Sequence, residues 1–135
     1  MKKLIVSTLL IFAGLGTALA QTPATNDENA AEIKFEKETH DFGTIPQGTP
    51  VTYEFKFTNK GKSPLILTNA SASCGCTTPD WSKEPIKPGK TGYVKATYNA
   101  ASPGEFTKSV TVQSNAKNST VILYLKGNVK PAESN

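Results

Sequence analysis

The sequence predicts an all-β fold, an immunoglobulin-like β-sandwich of about seven strands. Three observations predict it. Apolar residues recur with period two in several separate segments after residue 32. Clusters of Gly, Pro, Asn and Ser divide those segments at near-regular intervals. No stretch of useful length beyond residue 20 carries a helical period.

Taken in order, the chain begins with Met1-Lys2-Lys3, an apolar run from Leu4 to Gly16, and then Thr17-Ala18-Leu19-Ala20. Cleavage after Ala20 places small residues at −3 and −1, which completes the three-part export signal. A membrane span needs about 20 apolar residues; this run is shorter and is broken by Gly14, Gly16 and Thr17. Residues 1–20 are therefore read as a signal peptide, and the protein as exported, periplasmic or secreted. Residue 21 is Gln, not a lipid-carrying cysteine, so no membrane anchor is expected after cleavage. Residues 21–31 (QTPATNDENAA) are polar and lack an apolar period, as a disordered spacer does. The sandwich is assigned to 32–130 and a C-terminal tail to 131–135.

Within the domain, Ile33 and Phe35 mark a first strand, and Phe42 and Ile45 a second, short one. Val51 to Thr58 alternates cleanly, with Val51, Tyr53, Phe55 and Phe57 on one face and Thr52, Glu54, Lys56 and Thr58 on the other. Asn59 to Pro64 is turn chemistry, with Gly61 free to adopt φ > 0. A strand resumes at Leu65–Ala70. Cys74 to Lys90 holds Pro79, Pro85, Pro88 and Gly89 and reads as a long connection. Gly92–Asn99 alternates Val94, Ala96 and Tyr98 against Tyr93, Lys95 and Thr97. Phe106–Ser114 follows a Ser102-Pro103-Gly104 turn, and Thr120–Val129 closes the chain with Val121, Leu123 and Leu125 on one face.

Composition narrows the function. All basic residues are Lys, and they are scattered. Arg is the residue favoured for base-edge and bidentate phosphate recognition, so nucleic acid is not an expected partner. Loss of Lys2 and Lys3 with the leader lowers the formal charge from +4 to +2. The 115 residues that remain suffice for one core and not for two. They contain one His, one Trp and two Cys, and Met1 is the only Met of the full chain, so a multi-histidine zinc site and a copper site with a methionine ligand are excluded.

The run His40-Asp41-Phe42-Gly43, Gly48, Tyr53, Phe55, Phe57, Asn59, Gly61 and Pro64-Leu65, followed by Cys74-Gly75-Cys76-Thr77, Ile86, Pro88-Gly89, Tyr98, Gly104, Phe106, Ser114-Asn115 and Leu125-Lys126-Gly127, resembles the bacterial domain of unknown function 1573 family. That family is similar in turn to immunoglobulin-like domains of the Hydin and major-sperm-protein kind. The resemblance covers about Ile33 to Val129. It implies a secreted β-sandwich and no established activity.

The motif that invites a chemical reading is Cys74-Gly75-Cys76. Gly75 relieves the bulk between the two sulfurs. Three readings stay open: small apolar groups or one local disulfide, which would close a very short loop; two thiolates for a soft ion such as zinc or Cu(I); or a readily reduced redox pair. The Cys-x-x-Cys device at the head of a helix is not present. His40-Asp41 is read structurally, with Asp41 accepting from nearby backbone N–H groups. Trp81 is either a loop anchor on the sandwich rim or a binding contact.

The resulting expectation is a non-enzymatic extracytoplasmic interaction module, with no cofactor and no catalytic residues, binding another protein or peptide of the envelope. Its expected contact surface is the loop that carries Cys74, Gly75, Cys76, Thr77 and Trp81. The alternative is a thiol-based metal-binding or redox protein that uses Cys74 and Cys76.

Overall fold

The computed structural model describes residues 28–133. The expected signal peptide and the spacer up to residue 27 lie outside the described residues. Eight strands follow in chain order: β1 (Ile33–Phe35), β2 (Thr39–Pro46), β3 (Val51–Asn59), β4 (Leu67–Ala72), β5 (Thr77–Trp81), β6 (Thr91–Tyr98), β7 (Gly104–Ser114) and β8 (Thr120–Lys130). They form two four-stranded sheets, β1-β3-β6-β5 and β2-β8-β7-β4. After β1 the chain switches sheets, and β2 runs parallel to β8; the other pairings are antiparallel. The described residues form an all-β sandwich, with eight strands where about seven are expected.

The additional strand is β5, inside the segment read as a long connection. Thr77 to Trp81 pairs along its whole length with Tyr98 to Val94 of β6. Pro79 hid it: a proline removes a ladder N–H and argues against a strand interior, but an edge strand tolerates it, and β5 is an edge. Leu65 does not open a strand. It makes an isolated bridge with Ile86, each N–H donating to the other's carbonyl at 2.8 Å, before β4 begins at Leu67. The ordered domain also starts earlier than its first strand. Ala31, the last residue assigned to the spacer, is 2% exposed and belongs to the core.

The alternation sorts the side chains as expected. Phe55, Phe57, Val94, Val110, Val112, Leu123, Leu125 and Val129 are buried between the sheets. Tyr98 of one sheet stacks on Phe106 of the other with centroids 4.1 Å apart. Val51, Tyr53 and Val121, expected in the core, are partly buried at its margin.

The turn after β3 works differently from the sequence reading. Gly61 is not at positive φ; among the described residues Gly43, Gly48, Gly89 and Gly104 are the glycines there. Gly61 is required by close approach, since a Cβ would run into the backbone of Ala30 and Ala31. Asn59 beside it is fully buried. Its carboxamide oxygen accepts from the N–H groups of Gly61 (2.9 Å) and Glu32 (3.3 Å), and its nitrogen donates to the carbonyls of Ser63 (2.8 Å) and Ile86 (2.9 Å). One side chain thereby ties three chain segments.

Candidate functional site

Two places on the sandwich carry chemistry or an unused binding capacity, and they lie on opposite sides of it.

The first is the link between β4 and β5. Residues 74–77 form a turn in which the Thr77 N–H donates to the Cys74 carbonyl at 3.4 Å. Cys74 and Cys76 are joined as a disulfide with Cα atoms 5.3 Å apart, inside the usual range for bridged cysteines. The local-bridge reading thus describes this pair, and the turn supplies the spacing that an extended Cys-x-Cys lacks. Both cysteines are half-buried and Gly75 is exposed. Thr77 is buried, and its hydroxyl lies 4.0 Å from the Cys74 Sγ and 3.9 Å from the Cys76 Sγ. Trp81 packs against the core, with Lys83 Nζ 2.9 Å from the ring centroid. It sits as an anchor at the end of β5. The five residues singled out are therefore brought together as one turn and one edge strand, not as a loop.

The metal alternative has little to build on here. A bridged sulfur is not a thiolate ligand. His40 stands on β2 while the cysteines follow β4, and these are opposite edges of one sheet, three strand spacings or about 14 Å apart. Among the described residues, no three of His, Cys, Asp and Glu are grouped to hold a metal ion. Among the same residues, no helix is long and apolar enough to cross a membrane.

The second place is the side of the sandwich where the chain changes sheets. β3 has nine residues, but β1 covers only its last three, pairing Phe35 with Phe57 and Ile33 with Asn59. On its other side β3 is paired with β6 from Val51 to Thr58. In an antiparallel ladder successive residues direct their backbone groups to opposite neighbours. Asn59 faces β6, donating to Lys90, and Lys56 faces β1, accepting from Glu36. By the same alternation Thr52 and Glu54 direct N–H and C=O outward, where no strand of the described residues lies. No composition or motif signal marks this edge. It arises from the length difference between β1 and β3.

Beneath that edge, His40 stacks on Tyr53 with centroids 3.7 Å apart and planes 7° from parallel, and Phe42 meets the imidazole edge-on at 4.6 Å. Its Nδ1 is buried without a hydrogen-bond partner among the described residues. Burial of the ring, assisted by the Lys37 charge, holds the His40 pKa below its usual 6.5 against the opposing pull of Asp41. Asp41 itself accepts from the Gly43 N–H at 2.8 Å, the local backbone role expected of it.

Known structures share the architecture at low identity. A protein of unknown function from Porphyromonas gingivalis W83 superposes with a TM-score of 0.67 at 16% identity, over 80% of this chain and 51% of that one, so the chain spans about half its length. The ASH/PapD-like domain 7 of human CEP192 superposes at 0.66 and 13% identity, over 98% of this chain and 100% of that domain. The secreted serine protease VesC of Vibrio cholerae superposes at 0.57 and 18% identity, over 80% of this chain and 25% of the protease. At these identities the likeness concerns the fold. No curated protein matches the chain. The model of the family described as "Protein of unknown function (DUF1573)" matches residues 33–129, and the chain belongs to that family.

Proposed function

We propose that the protein is a non-enzymatic binding module of the cell envelope that accepts an extended segment of a partner protein along the free edge of β3. The observation that carries this reading is the mismatch between β1 and β3, which leaves Thr52 and Glu54 with outward-directed backbone groups. Alternating N–H and C=O groups on a sheet edge are matched by one kind of ligand, an extended polypeptide that adds a strand. Native edges are commonly blunted by bulges or proline; between Val51 and Glu54 neither occurs. Alternate side chains of an added strand would face inward, over the His40–Tyr53 stack. The leader at residues 1–20 supports export, and with it a partner in the envelope.

The test is a strand-blocking substitution. Glu54→Pro removes an N–H that the domain does not use, at an edge position where proline is tolerated. A library of extended peptides is selected on the wild-type chain and the selected peptides are measured on the variant. Loss of binding by a folded Glu54→Pro variant is expected. Undiminished binding, or chemical-shift changes confined to the Cys74–Trp81 side, would move the contact surface to the other edge.

A further inference from the structure

We propose that the Cys74–Cys76 disulfide is a thiol-exchange site: it oxidises accessible thiols of a partner molecule while the domain stays folded. This goes beyond strand binding at β3 and does not depend on it.

Three features of the turn lead there. The bridge is reachable, because both cysteines are only half-buried and a Cβ built on the exposed Gly75 between them would meet nothing within 4 Å. The turn does not rely on the bridge to keep its shape. Ser73 donates to the Ser109 carbonyl at 2.9 Å, Ser109 donates back to the Ser73 hydroxyl at 3.2 Å, and Asn99 donates to the Cys76 carbonyl at 2.9 Å. Both ends are thus held by backbone bonds to β7 and to the end of β6, and closing so short a loop constrains the unfolded chain very little. A bridge that adds little to folding can be opened without unfolding the domain.

The third feature is the asymmetry of the two sulfurs and the hydroxyl between them. Cys76 packs against the core, so Cys74 offers the better line of attack. The sulfurs of a disulfide carry no hydrogen, so the buried Thr77 hydroxyl, 4.0 and 3.9 Å away, is the donor, and its one proton can turn to either sulfur. A hydrogen bond to a developing thiolate is stronger than one to a neutral sulfur. The hydroxyl therefore favours the departing Cys76 thiolate and positions it.

The exchange balances as follows. A thiolate of the partner attacks the Cys74 Sγ, a mixed disulfide forms there, and the Cys74–Cys76 bond breaks with its electron pair on Cys76. A second thiolate of the partner attacks the mixed disulfide at the partner's sulfur and releases Cys74 as a thiolate. Two partner thiols end as one disulfide. Their two electrons and two protons end on Cys74 and Cys76, which become thiols. In the reduced state Cys76 remains a small apolar group at the margin of the core.

The experiment uses the chain as secreted, with glutathione as the probe. Reduced and oxidised glutathione are varied, thiols are trapped and counted by intact mass, and circular dichroism monitors the fold. The expected result is reversible gain and loss of two thiols with a native spectrum throughout. Cys76→Ser is expected to hold one glutathione on Cys74. Thr77→Val is expected to slow exchange about fivefold, the worth of one hydrogen bond, and Thr77→Ser to restore it. A bridge that resists reduced glutathione until the chain is unfolded in denaturant would overturn the proposal and leave a structural bridge. An unchanged rate in Thr77→Val would overturn the part given to Thr77.

Discussion

The Asn59 carboxamide donates to the carbonyl of Ile86 at 2.9 Å across a sequence separation of 27 residues. The same side chain also bonds Ser63, Gly61 and Glu32. It thus holds the end of β3, the turn after it, the approach to β1 and the proline-rich segment before β6.

Asn59→Ala leaves the Gly61 and Glu32 N–H groups and the Ser63 carbonyl without this partner. An unsatisfied buried polar group costs about 1–3 kcal/mol, so a loss of roughly 3 kcal/mol or more is expected in urea unfolding. Asn59→Asp keeps the acceptor but sets a carboxylate oxygen against the Ser63 and Ile86 carbonyls at a fully buried site; it is expected to cost at least as much as Asn59→Ala. A loss below about 1 kcal/mol for the alanine variant would mean the network is dispensable.

Phe55 is 1% exposed, while Lys56 beside it points to solvent. Phe55→Ala is expected to cost roughly 3–5 kcal/mol, as other large-to-small core changes do. Lys56→Ala should stay within about 0.5 kcal/mol. Equal shifts of the two unfolding midpoints would reverse the assignment of the two faces of β3.

His40 supplies a pH dependence whose sign follows from its environment. Its folded-state pKa is held below the usual 6.5 by burial, then by Lys37, with Asp41 opposing. The unfolded chain therefore binds the proton more readily, and stability rises with pH across that window. The contribution is fully present above the ordinary histidine pKa and is lost as pH falls through the folded value. The urea midpoint is expected to drop on moving from pH 7.5 to 5.5. His40→Phe keeps a ring against Tyr53 and should flatten that change; a variant with the same slope as wild type would place its origin in other groups.

Cys74→Ser with Cys76→Ser should retain the fold. A bridge over so short a loop adds about 1–2 kcal/mol in the chain-entropy account, and the turn keeps its backbone bonds to Ser109 and Asn99. A double variant that fails to fold would show the bridge to be structural.

Much of this was readable from residue order. The clean alternation in 51–58 and 92–99 places the core faces of β3 and β6, because period two is the direct signature of a half-buried strand. β5 was not readable, since Thr-Thr-Pro-Asp-Trp has a weak apolar rhythm and a proline whose tolerance depends on lying at an edge. Asn59 looked like turn chemistry because the partners that bury it come from segments 27 residues away on either side. Gly61 lies in a turn sequence that suggests positive φ, but what requires a glycine there is contact with Ala30 and Ala31, which come from a distant segment. At the candidate site the cysteine pair was legible as a motif and its pairing was one of several open readings. The free edge of β3 could not be seen at all, because it depends on how much of β3 a neighbouring strand fails to cover.

Amide exchange along β3 tests the central claim most directly. In the free protein the Tyr53 and Phe55 amides, bonded to β6, are expected to be protected, while those of Thr52 and Glu54 exchange rapidly. On saturation with a selected extended peptide, Thr52 and Glu54 are predicted to gain protection of at least about tenfold, the equivalent of 1.4 kcal/mol, with Tyr53 and Phe55 little changed. Thr52 and Glu54 amides already protected in the free chain, or unprotected at saturation, would contradict strand addition at this edge.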